Sequence, residues 1–240
     1  MLLGARSGIR LGSEVSPSAG RISREHAAYF RRRLRAWFRN NARRFPWRET
    51  TNPYHILLAE LLLQKTDAPK VVPVYLRMVK DFPSPRPLAA ARLQRVSRLL
   101  APLGLDYRAD RLRRIAAALV RDHGGAVPAS EDALMSLPGV GRYIARAVCA
   151  QAFGQRKAVL DTNVVRLLGR FFGITSRRPR ARDDPEMWAV AQSLLPRRAS
   201  DAASWNWALL DFAALVCGHR HPACSICPVR HRCLTQAVAS

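Results

Sequence analysis

The 240-residue sequence predicts an all-α fold, and three observations carry that prediction. Apolar residues recur at the spacing of one helix face in segment after segment, and most of these segments close on glycine or proline. No stretch alternates apolar and polar residues with the period of two that a half-buried strand requires. Nothing repeats at a fixed interval, which argues against a solenoid. With 48% apolar residues, the chain has enough hydrophobic surface for one domain or two small ones.

Residues 1–22, "MLLGARSGIRLGSEVSPSAGRI", mix Gly, Ser and Arg without a sustained apolar face. A disordered basic arm is expected there, and the long apolar core of a secretory signal is missing. After Arg24, "EHAAYFRRRLRAWFRNNAR" sets Tyr29, Leu34, Trp37 and Phe38 at roughly helical spacing among arginines, the pattern of an amphipathic helix. "FPWRETTNPY" is a loop, because its prolines and Asn52 oppose helix, whereas "YHILLAELLLQKT" is apolar on nearly every face and predicts a central helix. "VVPVYLRMVKDF", "LAAARLQRVSRLLAPLG", "YRADRLRRIAAALVRDHGG" and "EDALMSLPGVGRYIARAVCAQAFG" each read as helix followed by a Gly or Pro stop. "DTNVVRLLGRFFG", "PEMWAVAQSLL" and "SWNWALLDFAALVC" add three more helices, with the arginine-rich loop "TSRRPRARDDP" between the first two.

Lys and Arg outnumber Asp and Glu 40 to 17, giving a net charge of +23 spread along the whole chain. Such a field favours a polyanion, either nucleic acid or an acidic membrane surface, and nucleic acid is the preferred reading. Glu60 or arginines break the longest apolar stretches, so no membrane span is expected, and a bacterial or archaeal source would place the protein in the cytoplasm at the nucleoid. Four of the five cysteines, Cys217, Cys224, Cys227 and Cys233, crowd into the tail with the spacing C-x6-C-x2-C-x5-C. That clustering reads as ligands rather than a disulfide framework, and four thiolates suit either a tetrahedral zinc or an iron–sulfur cluster. Cys149, inside "IARAVCAQAF", reads as a small core residue.

Three further constellations bear on chemistry. In "LPGVGRYIARAV", Gly139 and Gly141 flank Val140 in a turn between helices, where missing β-carbons let backbone N–H groups reach a phosphate; a plain helix cap is the bland alternative. Asp161 follows the apolar Ala158, Val159 and Leu160 and opens a helix, so it is at least an N-cap. Glu60 is sunk in "ILLAELLLQKT", where a carboxylate is costly unless paired or protonated.

Together these strings resemble the helix-hairpin-helix DNA glycosylases, from about Arg24 to Cys233. "LPGVG" followed by a helix is similar to their DNA-binding hairpin, with Leu137, Gly139, Val140, Gly141 and Arg142 in the expected contact. Asp161 with Asn163 matches their catalytic carboxylate, and "WRETTNPYHILLAELLLQKT" resembles the segment of MutY-type and thymine-mismatch enzymes whose glutamate, here Glu60, acts on the departing base. Gln64 matches a residue that fills the space left by a flipped nucleotide. The cysteine spacing is similar to the iron–sulfur loop of endonuclease III and MutY, which implies a [4Fe–4S] cluster acting as a staple, with Arg220, His221, Arg230, His231 and Arg232 turned to the DNA backbone. The resemblance implies two helical lobes flanking a DNA cleft, a six-helix domain at 45–155 and a cluster domain at 23–44 with 156–240. It also implies a monomer whose partner is duplex DNA with a mismatched or damaged base.

The position of Tyr143, eighteen before Asp161, is a lysine in endonuclease III-like members that also cut the strand; a phenol forms no Schiff base, so a monofunctional enzyme is expected. Leu105 and Asp106 stand where adenine enzymes carry wedging aromatics, and the chain stops seven residues after Cys233, without the further domain usual in MutY. These features favour thymine or uracil opposite guanine over adenine opposite guanine or 8-oxoguanine. A catalytically silent DNA-binding protein is the alternative of another class, against which the pair Asp161 and Glu60 stands.

Overall fold

A computed structural model describes residues 22–104 and 107–235. Every regular element among them is helical: α1 (Arg24–Asn41), α2 (Pro53–Leu62), α3 (Ala68–Asp81), α4 (Pro85–Ala90), α5 (Leu93–Leu100), α6 (Tyr107–His123), α7 (Glu131–Met135), α8 (Arg142–Phe153), α9 (Thr162–Phe172), α10 (Pro185–Ser193) and α11 (Ala202–Leu215). None of them is long and apolar enough to cross a membrane. The arm of residues 1–21 and Leu105 with Asp106 lie outside the described residues.

Local chemistry sets the element boundaries. Ser23 caps α1 through its side chain, and Asn52 caps α2 by accepting from the N–H groups of Tyr54 and His55, with Pro53 pre-set at the first helical position. The stretch "LAAARLQRVSRLL" reads as one helix, yet it divides into α4 and α5 around an extended Ala91 and Arg92. Across the break, α4 buries Leu88 and α5 buries Val96 and Leu100. Gly154 and Gly173, both left-handed, end α8 and α9.

Two hydrophobic cores result. The first draws on residues from Phe45 to Cys149, with α2 buried on every face at its centre. The second joins Ala27, Phe30 and Leu34 of α1 to residues from Ala150 to Val229. Helix α8 runs through both, and Tyr143 near its start packs against each of them. A buried clamp also crosses between them: Asp211 of α11, wholly enclosed, takes Arg43 Nε at 2.7 Å and Arg48 Nη1 and Nη2 at 2.8 and 2.9 Å. Burial alone would raise the Asp211 pKa, but the Arg48 and Arg43 bonds outweigh it and hold the carboxyl below its ordinary value.

Candidate active site and DNA interface

A cleft of about 640 Å³ opens where the two cores meet, and Glu60, Gln64, Gly139, Gly141, Arg142, Tyr143 and Asp161 all line it. Residues far apart in sequence thus share one wall. Glu60 comes from the central α2 and is 5% exposed. Its Oε1 accepts from Gln151 Nε2 at 3.0 Å, while Oε2 is buried without a partner. Burial pushes its pKa up to about 7; the Gln151 bond and the Arg48 charge oppose the rise, and the Asp161 charge adds to it. Near neutral pH the protonated carboxyl is therefore within reach, which is what a general acid requires.

The buried run Ala158, Val159 and Leu160 delivers Asp161 from the second core to the first turn of α9. Asp161 Oδ1 accepts from the Val164 N–H at 2.7 Å, and Oδ2 accepts from Asn163 Nδ2 at 2.9 Å. The bonds that cap the helix therefore also fix the direction in which the carboxylate faces the cleft. Behind it Arg166 donates to Asn163 Oδ1 at 2.9 Å and to the Cys217 carbonyl at 3.0 Å, so one hydrogen-bonded chain joins Asp161 to the cysteine-bearing tail. Tyr143 lines the same cleft as the two carboxyls; burial first, then the charges of Glu60 and Asp161, raises its pKa well above the ordinary value and keeps it a neutral phenol.

The hairpin spans the turn from α7 to α8. Leu137 and Val140 are 3% and 5% exposed, their side chains belong to the first core, and anything they offer to DNA is backbone. Gly139 has φ +73°, and a β-carbon there would lie 2.7 Å from Arg111 Cδ, so both conformation and space require glycine. Arg142 is exposed beside the cleft and lies over the Trp188 ring at 5.6 Å.

Two arginines of α6 hold Gln64, and the sequence reading missed both. Arg108, 1% exposed, donates to the carbonyls of Leu62 and Gln64 and to Thr66 Oγ1, and Arg111 donates to Gln64 Oε1. A guanidinium only donates, so the Gln64 amide is fixed with its NH2 turned away from Arg111. Between these anchors Lys65 adopts φ +56°, the one non-glycine residue with positive φ among those described. A signal did exist: Arg108 sits on the stripe Arg108, Leu112, Ile115 and Leu119, and Gln151 on the stripe Ile144, Val148 and Gln151, each a polar residue at a core position.

Residues 58–188 match the model for the HhH-GPD superfamily of base excision DNA repair proteins. The chain belongs to the HhH-GPD superfamily. It is 40% identical over 202 residues to a thymine/uracil-DNA glycosylase of Pyrobaculum aerophilum, covering 83% of this chain and 88% of that protein. An adenine DNA glycosylase of Mycobacterium tuberculosis is 38% identical over 198 residues, covering 82% of this chain and 64% of the other. Among solved structures, a thermostable thymine-DNA glycosylase superposes with a TM-score of 0.84 at 30% identity, covering 89% of this chain and 98% of that one. As an HhH-GPD member the chain is a DNA glycosylase of base excision repair, a hydrolase of N-glycosidic bonds that acts on DNA.

The tail of this HhH-GPD chain encloses a second cavity, of about 260 Å³, on which Cys217, Cys224, Cys227 and Cys233 converge together with Leu167, Phe171 and Phe212. All four thiols are free. Burial pushes the Cys227 thiol up to about 11, a backbone N–H opposes this, and the neighbouring Cys233, Cys217 and Cys224 push it further. Among the described residues no three His, Cys, Asp or Glu side chains gather closely enough to hold a single metal ion. Arg170 ties the loop by donating to the carbonyls of Gly218 and His219 at 2.7 and 2.9 Å. Arg220, His221, Arg230 and His231 are exposed on it as expected, but Arg232 is engaged with Glu25 of α1 at 2.7 Å and with the Tyr29 ring.

Proposed function

We propose that the chain removes thymine or uracil lying opposite guanine, acting as a monomer and leaving the strand uncut. The observation that carries this reading is the shared cleft, in which a Glu60 of raised pKa, a fixed Asp161 and a neutral phenol stand together. A base flipped into the cleft takes the Glu60 proton as its glycosidic bond breaks, and the Asp161 carboxylate balances the positive charge that develops on the sugar. Water adds at the sugar carbon, and the proton it releases restores the acid. The choice of pyrimidine rests on the thymine/uracil-DNA glycosylase relative, matched over most of both chains, and on the thymine-DNA glycosylase fold. Adenine opposite guanine or 8-oxoguanine is the second reading, favoured by the adenine DNA glycosylase at 38% identity. The two cores support a division into lobes at 45–155 and at 23–44 with 156–240, with the DNA cleft between them.

Cys217, Cys224, Cys227 and Cys233 fit a [4Fe–4S] cluster, since four free thiols surround one apolar-walled cavity and thiolates are the ligands such a cluster takes. Bound there, the cluster supplies a cross-link for the tail. Equal iron and inorganic sulfide in the purified protein, with a brown colour, is the expected result; zinc in a colourless protein would sink the assignment.

The test of the reaction is single-turnover excision on duplexes carrying thymine or uracil opposite guanine, or adenine opposite guanine or 8-oxoguanine, each read with and without hot alkali. Alkali-dependent cleavage at the pyrimidine is expected. Cleavage at adenine alone would favour the second reading, and cleavage without alkali would refute the monofunctional one; Lys65, exposed on the cleft wall, would then be the first lysine to replace.

A further inference from the structure

A second groove, of about 940 Å³, shares no lining residue with the glycosylase cleft. The cleft takes Arg142 and Tyr143 at the start of α8, whereas the groove takes Arg156, just past its end. The twelve residues of α8 separate the two by about 18 Å.

Helix α1 forms one wall with Arg31, Arg32, Arg35 and Arg39, and Arg197 and Arg198 face them. Arg31, Arg35 and Arg39 recur every fourth residue, so they form a row about 12 Å long, while Ala28 and Ala36 keep the floor low between the guanidinium groups. Arg156 braces the opposite wall by donating to the carbonyls of Pro196 and Leu195 at 2.8 and 3.2 Å. One acid, Asp201, lies in the groove and is engaged by Arg35 at 2.7 Å. Among the described residues no carboxylate lies within ion-pair distance of Arg31, Arg39, Arg197 or Arg198. Like charges therefore crowd here against a single acid, which costs helix stability unless an anion relieves it.

We infer that this groove is a second site for the phosphate backbone of duplex DNA, so that one molecule holds a second duplex segment while the cleft engages the first. Arginines in a row match phosphates rising about 3.4 Å per nucleotide along a strand, three or four of which the row spans. An acidic peptide is the weaker occupant, because Leu195 and Pro196 are buried and the groove offers no large exposed apolar residue on which a peptide side chain would anchor. Two anchored segments would let the protein pass between neighbouring duplexes without full release.

The experiment is sedimentation of the full-length Asp161→Asn protein with excess short undamaged duplex, at graded salt. A complex of one protein with two duplexes is expected. Replacing Arg31, Arg39 and Arg197 together by Ser should weaken the second association at least tenfold and reduce its salt slope by about 3, at ~0.9 for each phosphate no longer neutralised. In the otherwise unaltered protein the same triple change should leave excision within twofold, and the matching Lys triple should restore the two-duplex complex. A wild-type protein that never exceeds one duplex, a Ser triple that still binds two, or a polyglutamate peptide that displaces the second duplex at lower concentration than competing DNA would each overturn the inference.

Discussion

Above neutrality the rate of base excision should fall tenfold for each unit of pH, because the proposed mechanism makes the protonated form of Glu60 the donor. The structure sets the break near 7: full burial drives the pKa up, and the Gln151 bond and the Arg48 charge recover part of the rise. A single-turnover profile should be flat below the break and about 30-fold lower by about pH 8.5. Glu60→Gln should lose the slope and on the order of 10²–10⁴ of the rate. Gln151→Leu separates the cause from the correlation. Its bond to the ionised carboxyl is worth about 1.5–3 kcal/mol, so losing it should move the break upward by one to two units, at ~1.4 kcal/mol per unit. Rates above the break would rise relative to wild type even though a polar side chain has been removed. If the break stays near 7 in Gln151→Leu, or if Glu60→Gln keeps the wild-type profile, Glu60 is not the titrating donor.

Three more perturbations probe the same frame. Asp161→Asn keeps an N-cap residue at α9, so thermal stability should barely move while excision falls by at least about 10²-fold and duplex binding persists; parallel loss of stability would make the role structural. Asp211→Asn strips the counter-charge from Arg43 and Arg48 and should cost about 3–5 kcal/mol at neutral pH. Because the folded pKa of Asp211 lies below its unfolded value, its contribution is full above the unfolded value and disappears as pH falls through the folded one; unfolding midpoints should converge with wild type in acid, and a constant gap would contradict this. Gly139→Ala must strain the turn and displace Arg111, and should cost about 1–3 kcal/mol of stability while weakening duplex binding several-fold by gel shift; unaltered affinity in the folded variant would remove the hairpin from the interface.

The helices and the chemical residues were legible for different reasons. Periodicity betrays α1 and α9 because a helix face is a local pattern, α2 stood out as an unbroken apolar run, and Glu60 as a charge within it. The break between α4 and α5 was hidden because packing against α6, not local propensity, decides it. The Glu60–Gln151 bond, the Arg108 and Arg111 anchors and the Arg166 link were likewise invisible as pairs, since each joins residues that only the tertiary fold brings together. Arg108 and Gln151 nonetheless left a trace as polar residues on apolar stripes. Leu137 and Val140 show the converse: the motif is plain in the sequence, but burial turns their side chains from DNA contacts into the anchors of the turn.

The placement of Tyr143 on both cores has a consequence for how the cleft is put together. The hairpin and Glu60 belong to the first core, and Asp161 is held by the second. Neither core alone carries both carboxyls, so the cleft exists only where α8 joins the two cores, and a shift of one core against the other moves the two carboxyls relative to each other.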